Sequence, residues 1–582
     1  MSDFQKTWPI ECDLKNRTYK DSAVYISVYC LLEYLIVMTL RKAFVLLILL
    51  LFLVTCGPKK EQGFYDDPGK PAYGDTMITA SIGEASSLIP ILASDSASHE
   101  IAGYIYNGLV KLDKNLNIVG DLAESWDISK DNLTFTFHLK KGVKWHDGKP
   151  FTAHDVMYTY KVIIDPKTPT PYSSDFKEVK EAKVIDDYTF QVKYNRPFAP
   201  SLISWGTSIL PKHLLEGKDI TKSPLIRKPV GTGPYMFKEW ISGDRVVLIA
   251  NDAYFEGKPF IARHVIKVIP DSATMFLELK NNAIDNMSLT PLQFTKQTNY
   301  PAFKREFNRF QYPSFTYVYF GYNLKHRFFK DKRVRQAISY AINKQEIIDG
   351  ILFGQGIEAT GPYKPDMWVY NKNVKKYEYS KEKALALLKE AGFEKGPDGM
   401  LLKDGEPLEF TILVNQGNDV RIRCAELIQQ RFKDIGISVK IRVVEWASFI
   451  NEFIDKRNFE AVILGWTISP SDPDIYDVWH SSKQGSKELN FMSFENKEVD
   501  ELLVKARHTF DRNERKRCYD RIQEILAEEQ PYTFLFIPYA NLAIHKRFKG
   551  IEPAPAGIGY NIFKWYVPEE QRRYKSNAAI SP

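Results

Sequence analysis

The chain has 582 residues, 44% hydrophobic and 26% charged, the proportions of a large globular protein rather than a disordered or fibrous one. Its net charge of +7 arises from interspersed Lys, Arg, Asp and Glu with no basic run, which argues against nucleic acid as a partner. Length alone allows three or four domain-sized units with ample core. The 32 Tyr, 36 Phe and 10 Trp mostly fill that core, and their faces also suit the lining of a roomy cleft.

At the N-terminus, Met38-Thr39-Leu40-Arg41-Lys42 is a short basic segment. The apolar run Ala43 to Val54 follows, too short to span a bilayer, so residues 38–55 read as a secretory signal. Leu53-Val54-Thr55-Cys56 looks like a bacterial lipobox, which implies cleavage before Cys56 and a lipid anchor on its thiol. Thr55 departs from the usual Gly, Ala or Ser, and an uncleaved signal anchor is the competing reading. Residues 1–37 carry a second apolar patch, Ala23 to Val37, broken by Glu33, and read as a mis-called leader ahead of a true start at Met38. Residues 56–75 follow as a flexible tether. Cys12 and Cys30 precede the signal, whereas Cys424 and Cys518 fall in helix-like stretches without C-x-x-C spacing. Buried free thiols are expected there, with a disulfide between the two in an oxidising compartment as the alternative, and no zinc site.

Further along, Met77 to Ile82 reads as a strand, and Ser94-Asp95-Ser96-Ala97-Ser98 as a polar loop. Leu133 to Leu139 alternates residue by residue, the pattern of a strand burying one face. Lys141-Gly142 and Asp147-Gly148 are turn pairs, and Thr152 with Asp155 three residues on starts a helix. Pro211 to Pro229 is polar and proline-bounded. Gly231-Thr232-Gly233-Pro234-Tyr235 suits a tight turn before a strand, and the absence of G-x-x-x-x-G-K-[ST] excludes a phosphate loop. Asp331 leads a helix ending near Asn343, and Ser380 caps another that stops at Gly392. Phe410 to Val414, a helix over Arg421 to Asp434 and Val439 to Val443 make a βαβ unit. Asn513 to Glu529 is a last long helix, stopped by Pro531. His138, His146 and His154 are spaced by eight, which matches no metal motif.

The stretch Asp121 to Tyr160, DLAESWDISKDNLTFTFHLKKGVKWHDGKPFTAHDVMYTY, resembles the signature of the family 5 extracellular solute-binding proteins, the peptide, dipeptide and nickel receptors of ABC importers. Gly231 to Tyr235 is similar to the GTGPY element of that family, and Asp331 to Ile338 is again family-like. The resemblance covers Thr76 to about Pro568. It implies an α/β, two-lobed, periplasmic-binding-protein-like fold with an extra domain inserted in the first lobe. By that analogy residues 76–110, 211–312 and 539–575 form the first lobe, 111–210 the extra domain and 313–538 the second lobe.

The resemblance also implies a site. Ala461 to Asp474, AVILGWTISPSDPD, corresponds to the segment that pairs main chain to main chain with an extended peptide in relatives. Gly465, Trp466, Thr467, Ile468 and Ser469 are the ligand-binding candidates there, against an ordinary buried strand with a core tryptophan. Trp446 is a candidate pocket wall, with core packing its alternative. Ser94, Asp95 and Ser96 match a first-lobe loop that meets peptide backbone, with a solvated loop as the alternative. Relatives that bind short peptides carry an aspartate three residues after the tryptophan, and here Ser469 stands instead. The segment looks most like receptors for longer oligopeptides, with Asp472 and Asp474 mainly structural. The implied protein is a monomeric, lipid-anchored importer receptor without a cofactor, in the periplasm or on the outer face of the cell membrane, with an oligopeptide ligand and an ABC permease as partners. Nickel chelates, haem and oligosaccharides are alternative ligands. An exported hydrolase is the alternative class, against which stands the lack of G-x-S-x-G and H-E-x-x-H.

Overall fold

The computed structural model describes residues 65–574, together with Met38. The remainder of the signal, the leader, Cys12, Cys30, Cys56 and tether residues 56–64 lie outside the described residues. No described helix is long and apolar enough to cross a membrane.

Three sheets organise the unit that starts at Tyr65. In the first, Gly74–Ser81 pairs in parallel with Ile261–Val268, and Arg245–Ala250 and Tyr235–Ile241 extend it antiparallel. In the second, Ala123–Ile128, Thr134–Leu139, Thr189–Tyr194 and Val179–Asp186 run antiparallel in that order. Here the predicted alternation is seen directly, since Phe135, Phe137 and Leu139 are buried and Thr134, Thr136 and His138 are not. The buried face packs with Trp145, Phe190 and Trp205 in one apolar core. The helix beside it, Ala153–Ile164, opens on the predicted Thr152 and Asp155, which form a reciprocal capping box.

The third sheet has eight strands. Its longest, Tyr532–His545, pairs through Tyr532 to Phe536 with Thr316–Tyr322, and from Tyr539 onward with Phe307–Pro313. One strand therefore serves two bodies of structure and changes partner around Pro538. The βαβ unit is present as Glu409–Asn415, the helix Asp419–Lys433 and Ser438–Val444, with the two strands parallel. The Lys381–Glu390 helix is capped by Ser380 and followed by Gly392 at φ +92°, and the Arg512–Glu529 helix precedes Pro531. These parts make a two-lobed α/β fold.

Two local expectations change. Ser94 to Ser98 is not a loop throughout, because Asp95 caps a helix, Ser96–Ile105, by accepting from the Ser98 N–H. Gly231 and Gly233 serve close approach rather than a turn. A Cβ on Gly231 would lie 1.9 Å from the Ile105 carbonyl oxygen, and the Gly233 N–H donates to that same oxygen at 2.8 Å. The GTGPY segment thus holds the C-terminal end of the Ser96–Ile105 helix in place. Cys424 and Cys518 are buried free thiols, as expected.

Candidate functional site

The strand Ala461–Thr467 begins with four buried apolar residues, Ala461 to Leu464, and becomes accessible from Gly465. Along one edge it pairs over its full length with Thr316–Tyr322. On the other edge, Glu409–Asn415 reaches only Ala461 and Val462. The Ile468 N–H donates to the Phe315 carbonyl at 3.0 Å. Antiparallel alternation then turns the backbone of Leu464 and Trp466 toward Thr316–Tyr322, and that of Gly465 and Thr467 toward the opposite edge. Among the described strands none covers that edge beyond Val462. The result is a short row of free N–H and C=O groups, a template for another extended chain.

Gly465 leaves no room for a side chain, since a Cβ would sit 2.9 Å from the Tyr317 carbonyl oxygen and 3.3 Å from Arg421 Nη2. Trp466 is held by its Nε1, which donates to the Tyr532 hydroxyl at 3.2 Å, and its ring lies 5.6 Å from that of Phe491. Tyr532 is itself stacked on Tyr319 at 3.8 Å. Trp446 lies nearly parallel to Phe449 at 5.9 Å, and a Cβ on Gly83 would come within 2.5 Å of its ring. Asp95 accepts from the Ser98 N–H at 2.9 Å, the Ser98 hydroxyl at 2.7 Å and the Ser86 hydroxyl at 2.5 Å, so its carboxylate shapes the wall from within.

All nine sequence-predicted residues, Ser94, Asp95, Ser96, Trp446, Gly465, Trp466, Thr467, Ile468 and Ser469, line a single cleft of about 630 Å³. The cleft also takes in Tyr172, Arg421, Asp455, Lys487 and Phe491, which sequence reasoning missed. Arg421 sits in the first turns of a predicted helix, where a charge ordinarily reads as solvated, and no local pattern marks it. Ser469 is exposed, and its hydroxyl lies 3.1 Å from that of Ser471.

The two aspartates after it are consumed by structure. Asp472 accepts from Arg515 at 2.8 and 3.0 Å, while Asp474 accepts from Arg507 at 2.9 and 2.5 Å and from the Tyr476 N–H at 3.1 Å, ahead of the Tyr476–Trp479 helix. Arg507 also reaches Asp175 at 2.9 Å, in the Ser173–Lys177 helix beside the second sheet. The three spaced histidines do not converge on a common point. His138 faces Asp127, His154 faces Asp187, and His146 contacts the Gly233 carbonyl with its pKa pushed down to about 4 by burial. Among the described residues no group of three or more His, Cys, Asp or Glu could hold a metal ion.

A Gly465→Ala substitution tests how tight the strand is. Because the new methyl meets backbone rather than a movable side-chain tip, about 1–3 kcal/mol of destabilisation is expected, together with weaker ligand binding. Denaturant unfolding reads the first, and an unchanged midpoint would show that the strand has room to spare.

Comparison with known proteins gives the following. The sequence model for bacterial extracellular solute-binding proteins, family 5 (middle region) matches residues 117–488. The chain is similar to the oligopeptide-binding protein AppA of Bacillus subtilis, 36% identical over 535 residues, covering 90% of this chain and 97% of that protein. The structure of B. subtilis AppA in complex with a nonapeptide superposes with a TM-score of 0.82 at 35% identity, covering 86% of this chain and 100% of that one. NikZ of Campylobacter jejuni in complex with Ni(L-His) gives a TM-score of 0.77 at 31% identity, covering 84% of this chain and 99% of that one.

Proposed function

This chain belongs to the bacterial extracellular solute-binding proteins of family 5, which are binding receptors and not enzymes, and from that premise we propose that it captures extended oligopeptides for an ABC importer. The peptide lies along the free edge at Gly465 and Thr467 and pairs with it through main-chain hydrogen bonds. The lobes close over it by hinge motion at the two crossings near Pro313 and Pro538, and the loaded receptor delivers it to the permease. Residues 76–110, 211–312 and the described part of 539–575 form the first lobe, 111–210 the inserted domain and 313–538 the second. Trp446, Trp466 and the Ser94 to Ser96 segment supply pocket walls for side chains.

The observation that carries this reading is the uncovered edge of a strand inside a cleft. Main-chain pairing is indifferent to side-chain identity, so a single site can accept many sequences. The resemblance to AppA, which was solved with a nonapeptide, supports a ligand of that chemistry. Mass spectrometry of ligand carried through native purification tests it. Intact mixed peptides are the expected result, and a metal chelate, a haem or an empty protein would overturn it.

The receptor is held at the outer face of the membrane through lipid on Cys56. Protein expressed from Met38 is expected to partition with membranes, and Cys56→Ser to move it to the soluble fraction. A wild-type protein that is already soluble would end the lipoprotein reading.

A further inference from the structure

Besides lining a common cleft, the two sides of the molecule touch each other directly. One junction is polar and neutral in part, where the Ser272 hydroxyl donates to Asp419 and a Cβ on Gly417 would lie 3.1 Å from the Pro270 carbonyl oxygen. Another is ionic. The helix Lys497–Arg507 ends there, and Arg507 and the capping His508 face Asp175 and Glu178 of the inserted domain at 2.9 and 3.1 Å. Phe198, fully buried, lies between them and water, its ring 6.2 Å from that of His508 and 5.7 Å from the Arg507 guanidinium.

The His508 ring is held at both nitrogens. Nδ1 lies 2.7 Å from the Val504 carbonyl oxygen, and Nε2 lies 3.1 Å from Glu178 Oε2. A carbonyl oxygen only accepts. The Glu178 carboxyl is held ionised as well, because the hydrogen bond to His508, with Arg196 at 3.4 and 3.5 Å, pushes its pKa down to about 2. Both ring nitrogens must therefore donate, which only the imidazolium can do. A ring with a single proton would turn a lone pair toward one of the two oxygens. The other charges at the junction are engaged elsewhere: Arg507 is shared by Asp175 and Asp474, and from the Arg512–Glu529 helix Glu514 faces Lys505 at 3.0 Å. Among the described residues Glu178 is the carboxylate that faces His508.

We propose that His508 and Glu178 form a proton-dependent clasp between the inserted domain and the second lobe, so that the closed receptor grips its peptide more firmly in acid and releases it more readily as pH rises. The inference rests on the peptide-receptor reading above and deepens it, since opening the cleft has to part these two residues. The neighbouring Arg507–Asp175 contact responds in the opposite sense, because acid neutralises a carboxyl that burial already pushes up. The clasp is therefore read by comparing wild type with variants of the His508–Glu178 pair, which leave Arg507 and Asp175 in place.

Surface plasmon resonance on immobilised protein reads the dissociation rate of a nonapeptide of Ser, Ala, Asn and Leu, acetylated and amidated so that none of its groups titrates. A partly buried charged contact is worth about three- to tenfold. Wild type is expected to release the peptide faster at pH 8 than at pH 6 by that factor. In Glu178→Gln, which offers His508 an uncharged acceptor, and in His508→Gln, on the opposite side of the junction, the ratio of the two rates is expected to fall at least threefold below that of wild type. Only the ratio is compared, so a general loss of affinity or stability does not mimic the effect, and either variant alone suffices. The same ratio in wild type and variants, or wild-type release that is slower at pH 8, overturns the clasp and leaves the peptide receptor standing. Failure of wild type to bind any peptide overturns both.

Discussion

Replacing Arg507 by Met is expected to destabilise the protein by about 3–5 kcal/mol, the largest effect of any single change around the cleft. The guanidinium is 3% exposed and sits between two carboxylates, Asp474 at 2.5 Å and Asp175 at 2.9 Å, with the Tyr476 ring 3.9 Å from its centre. Met would keep much of the volume and leave two half-buried carboxylates facing each other without a counter-charge. Asp175→Asn removes one acid and leaves the Arg507–Asp474 pair intact, so it should cost far less. The order of the two variants in urea unfolding is therefore the test, and Asp175→Asn matching Arg507→Met would show that the buried charge is not what matters.

The pH dependence has a definite sign. Burial pushes the Asp175 carboxyl above its ordinary value while Arg507 pulls it down, so loss of Arg507 raises it further. A carboxyl with a folded-state pKa above the unfolded value of about 3.9 binds more protons folded than unfolded, so its contribution to stability falls as pH rises. The deficit of Arg507→Met should thus be smaller at pH 5 than at pH 7.5. A deficit that grows on acidification would contradict this account. Arg507 joins Asp474, just past the Ala461–Thr467 strand, to Asp175, close to Tyr172 in the cleft wall. The same variant is therefore expected to weaken peptide binding as well as folding.

What the sequence made legible follows the range of the physics involved. The alternation in Leu133 to Leu139, the Thr152 and Asp155 box, the Ser380 cap, Gly392 and the βαβ unit all rest on neighbours within about four residues or on a repeating period, and each appears in the structure. The start of the Ser96–Ile105 helix was legible too, in an aspartate three residues before Ser98 with Ile101, Ala102 and Ile105 behind it, but the run of serines reads more readily as a loop. The glycines of Gly231 to Gly233 were visible and their reason was not, because the carbonyl they clear belongs to Ile105, more than a hundred residues away. The same limit applies to the cleft. Gly465 and Trp466 were found through family resemblance, whereas Arg421 and Asp455 reach the cleft only because helix, sheet and loops from distant parts of the chain meet there.

Acetylating the N-terminus of a bound peptide is expected to cost wild-type protein less than about threefold in affinity, well under the ten- to hundredfold of a lost charged contact. The carboxylates that could receive an α-ammonium are mostly engaged. Asp95 holds Ser86 and Ser98, Asp474 holds Arg507, and Asp477 and Glu488 both face Lys483 at 3.1 Å. Asp455 is pushed toward its neutral form by burial, with Lys487 opposing that shift. Ser469, exposed just past the end of the Ala461–Thr467 strand, offers a neutral hydroxyl. Ser469→Asp places a solvent-accessible carboxylate at that point, and free-amine peptides should then bind about ten- to a hundredfold more tightly than their acetylated counterparts. Matched peptides titrated into both proteins read the change directly. If wild type already loses tenfold or more on acetylation, an anchor is present, and Asp455→Asn should abolish that loss while Ser469→Asp adds little. If neither protein distinguishes the two peptide forms, the N-terminus lies away from Ser469, and the peptide must run along the Gly465 edge in another register.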